Sequence, residues 1–265
     1  MYAVITGASM GLGRAFAEAC ADRGMDLLLI ALPGSGLDGV SRSIKSAWNV
    51  SVESLEADLT EASTIEAVRS FIRENDLSVG LLVNNAGIGS IGLFEEFPPE
   101  HHQATINVNV QALVSLTRTL LPELKRRKDS RILNVASLSA FFPMPSFSIY
   151  SATKSFILNF SLALRNELSG TVGVSVLCPN TLRTTPEVNE YIDRQGLPAR
   201  LACLPAERVS RIALRECYRN RAVIIPGRMN RILAAAACCI PRSFSMAVIR
   251  RLWGTYGHER EHVEV

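Results

Sequence analysis

The chain has 265 residues, with 28 Lys and Arg against 25 Asp and Glu for a net charge of +3, and is 48% hydrophobic and 20% charged. This balance excludes a disordered chain and supplies too little positive charge to argue for nucleic acid, while the length suits one large α/β domain. The six cysteines, Cys20, Cys178, Cys203, Cys217, Cys238 and Cys239, form no C-x-x-C pair and no zinc-type Cys/His cluster, so no metal site and a reducing, cytoplasmic setting are expected.

In chain order, Tyr2 to Thr6 is a short apolar strand with no charged leader before it and no long apolar run, which reads as an intracellular protein without a spanning helix. Gly7-Ala8-Ser9-Met10-Gly11-Leu12-Gly13 follows and opens a helical pattern that runs to Gly24. A strand, a glycine-rich turn and a helix let backbone N–H groups meet a pyrophosphate with no Cβ in the way. The spacing is G-x-x-x-G-x-G, which differs from the general dinucleotide fingerprint.

Asp26 to Ala31 is the second strand. It ends in Ala31-Leu32-Pro33-Gly34-Ser35-Gly36, with neither the acid that grips the ribose of NAD nor the base that clamps the phosphate of NADP. The missing carboxylate tilts the expectation modestly to NADP(H), with Arg14, Arg42 or Lys45 as possible cationic partners; NAD(H) stays possible. Helices are expected over 37–47, over 60–74 with Thr60 or Ser63 as N-cap, and over 99–128. Strands are expected over 50–56, 79–83 and 131–136.

Next come a helix from Tyr150 to Leu168, a sixth strand over 172–177 and a last strand over 222–225. The alternation implies an α/β fold: a doubly wound, Rossmann-like parallel sheet in a single domain (1–227), followed by a C-terminal helical extension and tail (228–265). The helix after Tyr150 is apolar on nearly all sides, so one face is left for an inserted loop or, as favoured here, a second subunit in a homodimer or homotetramer.

Tyr150 and Lys154 are four apart on that helix and share a face. A tyrosine titrating near ~10 must fall to near ~7 to exchange protons at neutral pH, a change worth about 4 kcal/mol. A cation ~4 Å away at an effective dielectric of ~20 supplies a term of that order. The expectation is a Tyr150 acidified by Lys154.

Several motifs together resemble the short-chain dehydrogenases/reductases. Thr6-Gly7-Ala8-Ser9-Met10-Gly11-Leu12-Gly13 is similar to the family's T-G-x-x-x-G-x-G, Asp58-Leu59-Thr60 to its D-L-T turn, and Asn84-Asn85-Ala86-Gly87 to its N-N-A-G. Asn109 stands where the family has its helix asparagine, Ser137 lies thirteen residues before Tyr150, and Lys154 completes Y-x-x-x-K. The resemblance runs from Ala3 to about Thr184. It implies an NAD(P)-dependent oxidoreductase that interconverts a ketone and a secondary alcohol, steroid-like or 3-oxoacyl-like.

The roles it implies are these. Ser137 holds the substrate oxygen, Tyr150 exchanges the proton, Lys154 lowers its pKa and holds the ribose, and Asn109 holds a water. Gly7, Ser9, Gly11, Leu12, Gly13, Asp58, Leu59, Asn85, Ala86, Gly87, Pro179, Leu182 and Thr184 would contact the cofactor, together with Tyr150 and Lys154. The chain departs from the family at Pro179-Asn180, where P-G is usual; Asn tolerates positive φ. A non-catalytic cofactor-binding sensor or scaffold on the same fold is the rival, and the complete Asn109/Ser137/Tyr150/Lys154 set argues against it.

Phe141, Phe142, Met144 and Phe147 lie between Ser137 and Tyr150. They suggest a hydrophobic pocket or, equally, satellite core. From Arg194 to Arg251 there are twelve arginines around short apolar runs, the pattern of a packed extension or of a helix lying on a membrane surface. His258-Glu259-Arg260-Glu261-His262 matches H-E-x-x-H in its letters. It follows two glycines in a charged tail and is expected to be polar and solvated. His101 and His102 are expected to be exposed.

Overall fold

The computed structural model describes residues 1–182 and 203–239. Thr184 and the H-E-x-x-H letters lie outside them. In β1 (Tyr2–Thr6), Ala3 and Ile5 are buried on one side and Val4 on the other, the period of two expected of a strand covered on both faces. Six more strands join it: β2 (Asp26–Ala31), β3 (Val52–Glu56), β4 (Val79–Asn84), β5 (Arg131–Val135), β6 (Gly173–Leu177) and β7 (Val223–Ile224). The order is β3-β2-β1-β4-β5-β6-β7 and every pairing is parallel.

Helices α1 (Gly11–Ala21), α2 (Leu37–Ala47) and α7 (Ala206–Tyr218) cover one face. On the other lie α3 (Ala62–Glu74), α5 (Leu113–Lys125) and α6 (Ser148–Glu167). The strand order reverses between β1 and β4, and the crevice at the carboxyl ends of these two strands is where a doubly wound sheet takes its ligand. Thr6-Gly7 and Asn84-Gly87 both reach it.

Several expected boundaries shift for local reasons. α3 begins at Ala62 with Glu61 as an N-cap that makes no side-chain bond. Thr60 lies one residue before this cap and gives its N–H (2.9 Å) and hydroxyl (2.7 Å) to Asp58 Oδ1. The helix expected over 99–128 is three pieces: α4 (Pro99–Ile106), a π segment (Asn107–Ala112) and α5, which ends at Lys125.

Helix α7 has no counterpart in the sequence reading. Ala206, Val209, Ser210, Ala213, Leu214 and Cys217 are its buried face, but its arginines made the stretch read as part of a basic tail. Three of the arginines in and just after it, Arg215, Arg219 and Arg221, gather on Glu216 at 2.9, 3.2 and 3.7 Å. The last described element, α8 (Arg228–Cys239), follows Gly227, whose φ is +92°.

Candidate active site

At the first crevice wall the glycines are dictated by space. Gly7 and Gly11 have φ of +63° and +53°, a region that favours glycine. A Cβ on Gly13 would overlap the Gly7 carbonyl oxygen. Asn85 pins the loop by donating from Nδ2 to Thr6 O (3.0 Å) and Gly7 O (3.3 Å), while Thr6 Oγ1 accepts from Asn85 N and Ala86 N, both at 2.9 Å. The N-cap of α1, Met10, makes no side-chain bond, and the first turn holds no acid. An uncapped helix N-terminus beside a loop with no room for side chains fits a pyrophosphate. Asp58 Oδ1 accepts from Thr60, and Leu59 packs on the core.

Where a ribose 2′ substituent would be read, two large apolar side chains are exposed, Met10 (66%) and Leu32 (54%). Arg14 is tied to Glu18 at 2.9 Å. Glu56, paired in register with Ala31, accepts from Gly34 N at 3.4 Å. The sequence showed no acid at the end of β2; the sheet brings one across from β3.

The second wall carries the chemistry. Ser137 follows β5 and caps a 3-10 turn (Leu138–Phe141), its Oγ accepting from Ser139 N at 3.1 Å. Tyr150 and Lys154 come from the first turns of α6, which starts two residues earlier than expected. The Ser137 hydroxyl lies near enough to the Tyr150 phenol to favour its ionised form. Lys154 is buried, donates to Val135 O at 3.1 Å, and its nitrogen stands 5.4 Å from the centre of the Tyr150 ring. Asn109, in the π segment, donates to Ile88 O (2.9 Å) and Thr153 Oγ1 (3.0 Å) and accepts from Ile88 N (2.8 Å). Its Oδ1 and Lys154 Nζ flank Gly87 so closely that a Cβ there would lie 3.1 and 3.2 Å from them.

Burial adds a term that the spacing did not show. It pushes the Tyr150 phenol up to about 12, with nearby Ser137 pulling the other way, and pulls Lys154 down to about 8. Desolvation disfavours the charged form of each, so any acidifying effect of Lys154 on the phenol works against the burial of both. Buried Cys178, raised to about 12 by burial, is close enough to feel the Lys154 charge.

The remaining predicted residues divide cleanly. Pro179 accepts from Leu138 N at 2.7 Å, next to Ser137, and Leu182 packs on the core below the crevice. Asn180 does not take a positive φ, so the turn needs no glycine there.

A small cleft, partly open to solvent, lies beside Tyr150, lined among others by Gly92, Phe94, Phe97, His101, His102 and Phe147. His101 and His102 are half-buried, not exposed. They stack on Phe97 and Phe94, with 4.6 Å between ring centres in both pairs, and His102 Nε2 is bonded to Phe94 O at 2.9 Å. Phe147 stacks on Tyr150 at 4.3 Å and joins the lining, while Phe141 packs into the core under α6, so the aromatic loop serves both purposes. Aromatics at 94 and 97 with imidazoles one to two helical turns later were the available signal.

Comparison with known proteins agrees with this arrangement. The family model for short chain dehydrogenase matches residues 1–195, and the chain belongs to that family. Over 170 residues it is 35% identical to the very-long-chain 3-oxoacyl-CoA reductase-A of Danio rerio, covering 63% of this chain and 53% of that one. Over 186 residues it is 34% identical to the 17-beta-hydroxysteroid dehydrogenase type 3 of Homo sapiens, covering 69% and 59%. The chain thus spans little more than half the length of these relatives. A short-chain dehydrogenase from Sphingobium yanoikuyae, solved in complex with NADPH, superposes with a TM-score of 0.76 at 31% identity, covering 98% of this chain and 96% of that one.

Proposed function

We propose that the chain is an oxidoreductase that interconverts a ketone and a secondary alcohol on a hydrophobic substrate, with Tyr150 as proton donor and acceptor. The observation that carries this reading is the convergence of the Ser137 hydroxyl, the Tyr150 phenol and the buried Lys154 amine at the carboxyl end of β5, beside a crevice built for a pyrophosphate. A nicotinamide dinucleotide, when bound, supplies or takes the hydride. Gly7, Ser9, Gly11, Leu12, Gly13, Asp58, Asn85, Ala86 and Gly87 would hold it. Ser137 would orient the carbonyl oxygen and stabilise charge as it grows there. Tyr150, beside Ser137, would deliver the proton to that same oxygen.

The sequence expectation of a modest NADP(H) preference is kept; the tie between Arg14 and Glu18 leaves only weak contacts to produce it. The aromatic cleft supports an apolar substrate, and the relatives that reduce 3-oxoacyl thioesters or act on hydroxysteroids suggest its class. The exposed Phe156, stacked on Phe160 at 5.8 Å, supports a second copy of the chain against α6. Met229, Ile232 and Leu233 are exposed on α8 beside Arg228 and Arg231, which supports contact with a membrane surface. Among the described residues no helix is long and apolar enough to cross one.

The test is Tyr150→Phe with NADPH and a panel of ketosteroids and 3-oxoacyl thioesters. Nucleotide binding should persist while turnover falls more than tenfold, a barrier increase above ~1.4 kcal/mol. Retained turnover would remove Tyr150 from the proton step.

A further inference from the structure

The residue that departs from the family pattern, Asn180, is the one that reaches the C-terminal helix. Its Oδ1 accepts from Thr181 N at 2.8 Å, which turns its Nδ2 outward to donate to Asn230 Oδ1 at 3.2 Å. Asn230 is 2% exposed and gives its own Nδ2 to Pro226 O at 2.8 Å. A backbone donor at one end and a backbone acceptor at the other fix which atom of each amide is nitrogen and which is oxygen. A glycine at 180 could make neither side-chain bond.

The pair bears on Ser137 through short steps. Pro179, next to Asn180, accepts from Leu138 N at 2.7 Å, and Leu177 accepts from Ala136 N at 2.8 Å, so the residues on both sides of Ser137 hang on the end of β6 and its turn. Helix α8 also packs against the 3-10 turn that Ser137 caps. A hydrogen-bonded amide pair with one member buried, Asn230, holds one geometry where apolar packing alone would allow several.

We propose that Asn230 is a positioning residue for Ser137, acting through Asn180: the two amides clasp α8 to the turn after β6 and so make the C-terminal helix part of the active-site wall. This rests on the ketone–alcohol reading for its catalytic consequence. The clasp itself is a physical contact that can be measured without turnover.

The experiment uses the full chain with Asn230→Leu, which keeps the branching at Cγ and removes both bonds, together with Asn180→Gly and the double variant. Hydrogen exchange at the Leu138 amide is read first, with the amides of β1 and α1 as the check on folding. Each single variant should speed Leu138 exchange at least tenfold, with β1 and α1 unchanged and the double variant no worse than either single. In NADPH-dependent reduction of the best ketone in the panel, kcat should fall about tenfold with KM kept.

Unchanged Leu138 exchange in Asn230→Leu, additive effects in the double variant, or faster exchange with kcat intact would each overturn the proposal. Should Asn230→Leu fail to fold, Asn180→Gly carries the same readouts. If the wild type reduces no ketone yet Leu138 exchange responds as stated, the ketone–alcohol reading fails and the clasp stands.

Discussion

Lys154 offers the most direct physical test of the site, because its burial has a thermodynamic signature separate from any reaction. The ammonium is 4% exposed and its pKa falls from 10.5 to about 8. A drop of that size corresponds to about 3 kcal/mol. The unfolded chain binds its proton up to pH ~10.5 and the folded chain releases it near 8, so between these values the unfolded state holds more protons and stability rises with pH. Below pH 8 both states are charged and the penalty is present in full.

Lys154→Met removes the charge and keeps the stem. The variant should be more stable than wild type at pH 7, and its advantage should shrink by about 3 kcal/mol as the pH rises to 10.5. Urea unfolding of both proteins at intervals across this range is the assay. Comparing the two cancels most of the opposing effect of Cys20, Cys217 and Tyr150, whose raised pKa values make stability fall as pH rises through the unfolded values. The Met side chain sets the offset, whereas the lysine dominates the slope, with a smaller part from Cys178, which feels its charge. A stability difference that does not change with pH would refute the buried-ammonium account.

Leu32→Arg should tighten NADPH by about tenfold, ~1.4 kcal/mol, and leave NADH within about twofold, read by titration of each nucleotide; equal gains for both would show that position 32 does not face the 2′ substituent. Asn134→Leu should lower stability by about 1–3 kcal/mol in urea unfolding, because Asn134 accepts from Asn84 Nδ2 (2.8 Å) and donates to Ser161 Oγ (2.9 Å) in a fully buried chain of amides beneath the site. A neutral result would show that the neighbours re-pair.

Much of this site is legible from the chain because its parts are local. The glycine turn, Asn84-Gly87, and Tyr150 with Lys154 each sit at the end of one strand or in one helical turn, where spacing alone fixes geometry. What sequence could not supply is what the sheet brings together from afar. Glu56 reaches the loop after β2 only because β3 lies beside β2. The Asn180–Asn230 bond joins residues fifty apart, and no periodicity announces it. Helix α7 was hidden by its own surface, since arginines held by Glu216 mask a regular buried stripe. The π segment was invisible because one extra residue per turn does not alter the apolar pattern enough to be seen around Asn109.

The ionisation of the pair shows a term that spacing leaves out, the burial of both groups. A neighbouring cation favours the phenolate, while desolvation disfavours the charged form of phenol and amine alike. The phenol is protonated at neutral pH and packs against Phe147 and Gly89. In the proposed reaction it becomes a phenolate when it gives its proton to the ketone and starts as one when it takes a proton from the alcohol, so the cost that burial sets on that charge bears on both directions alike.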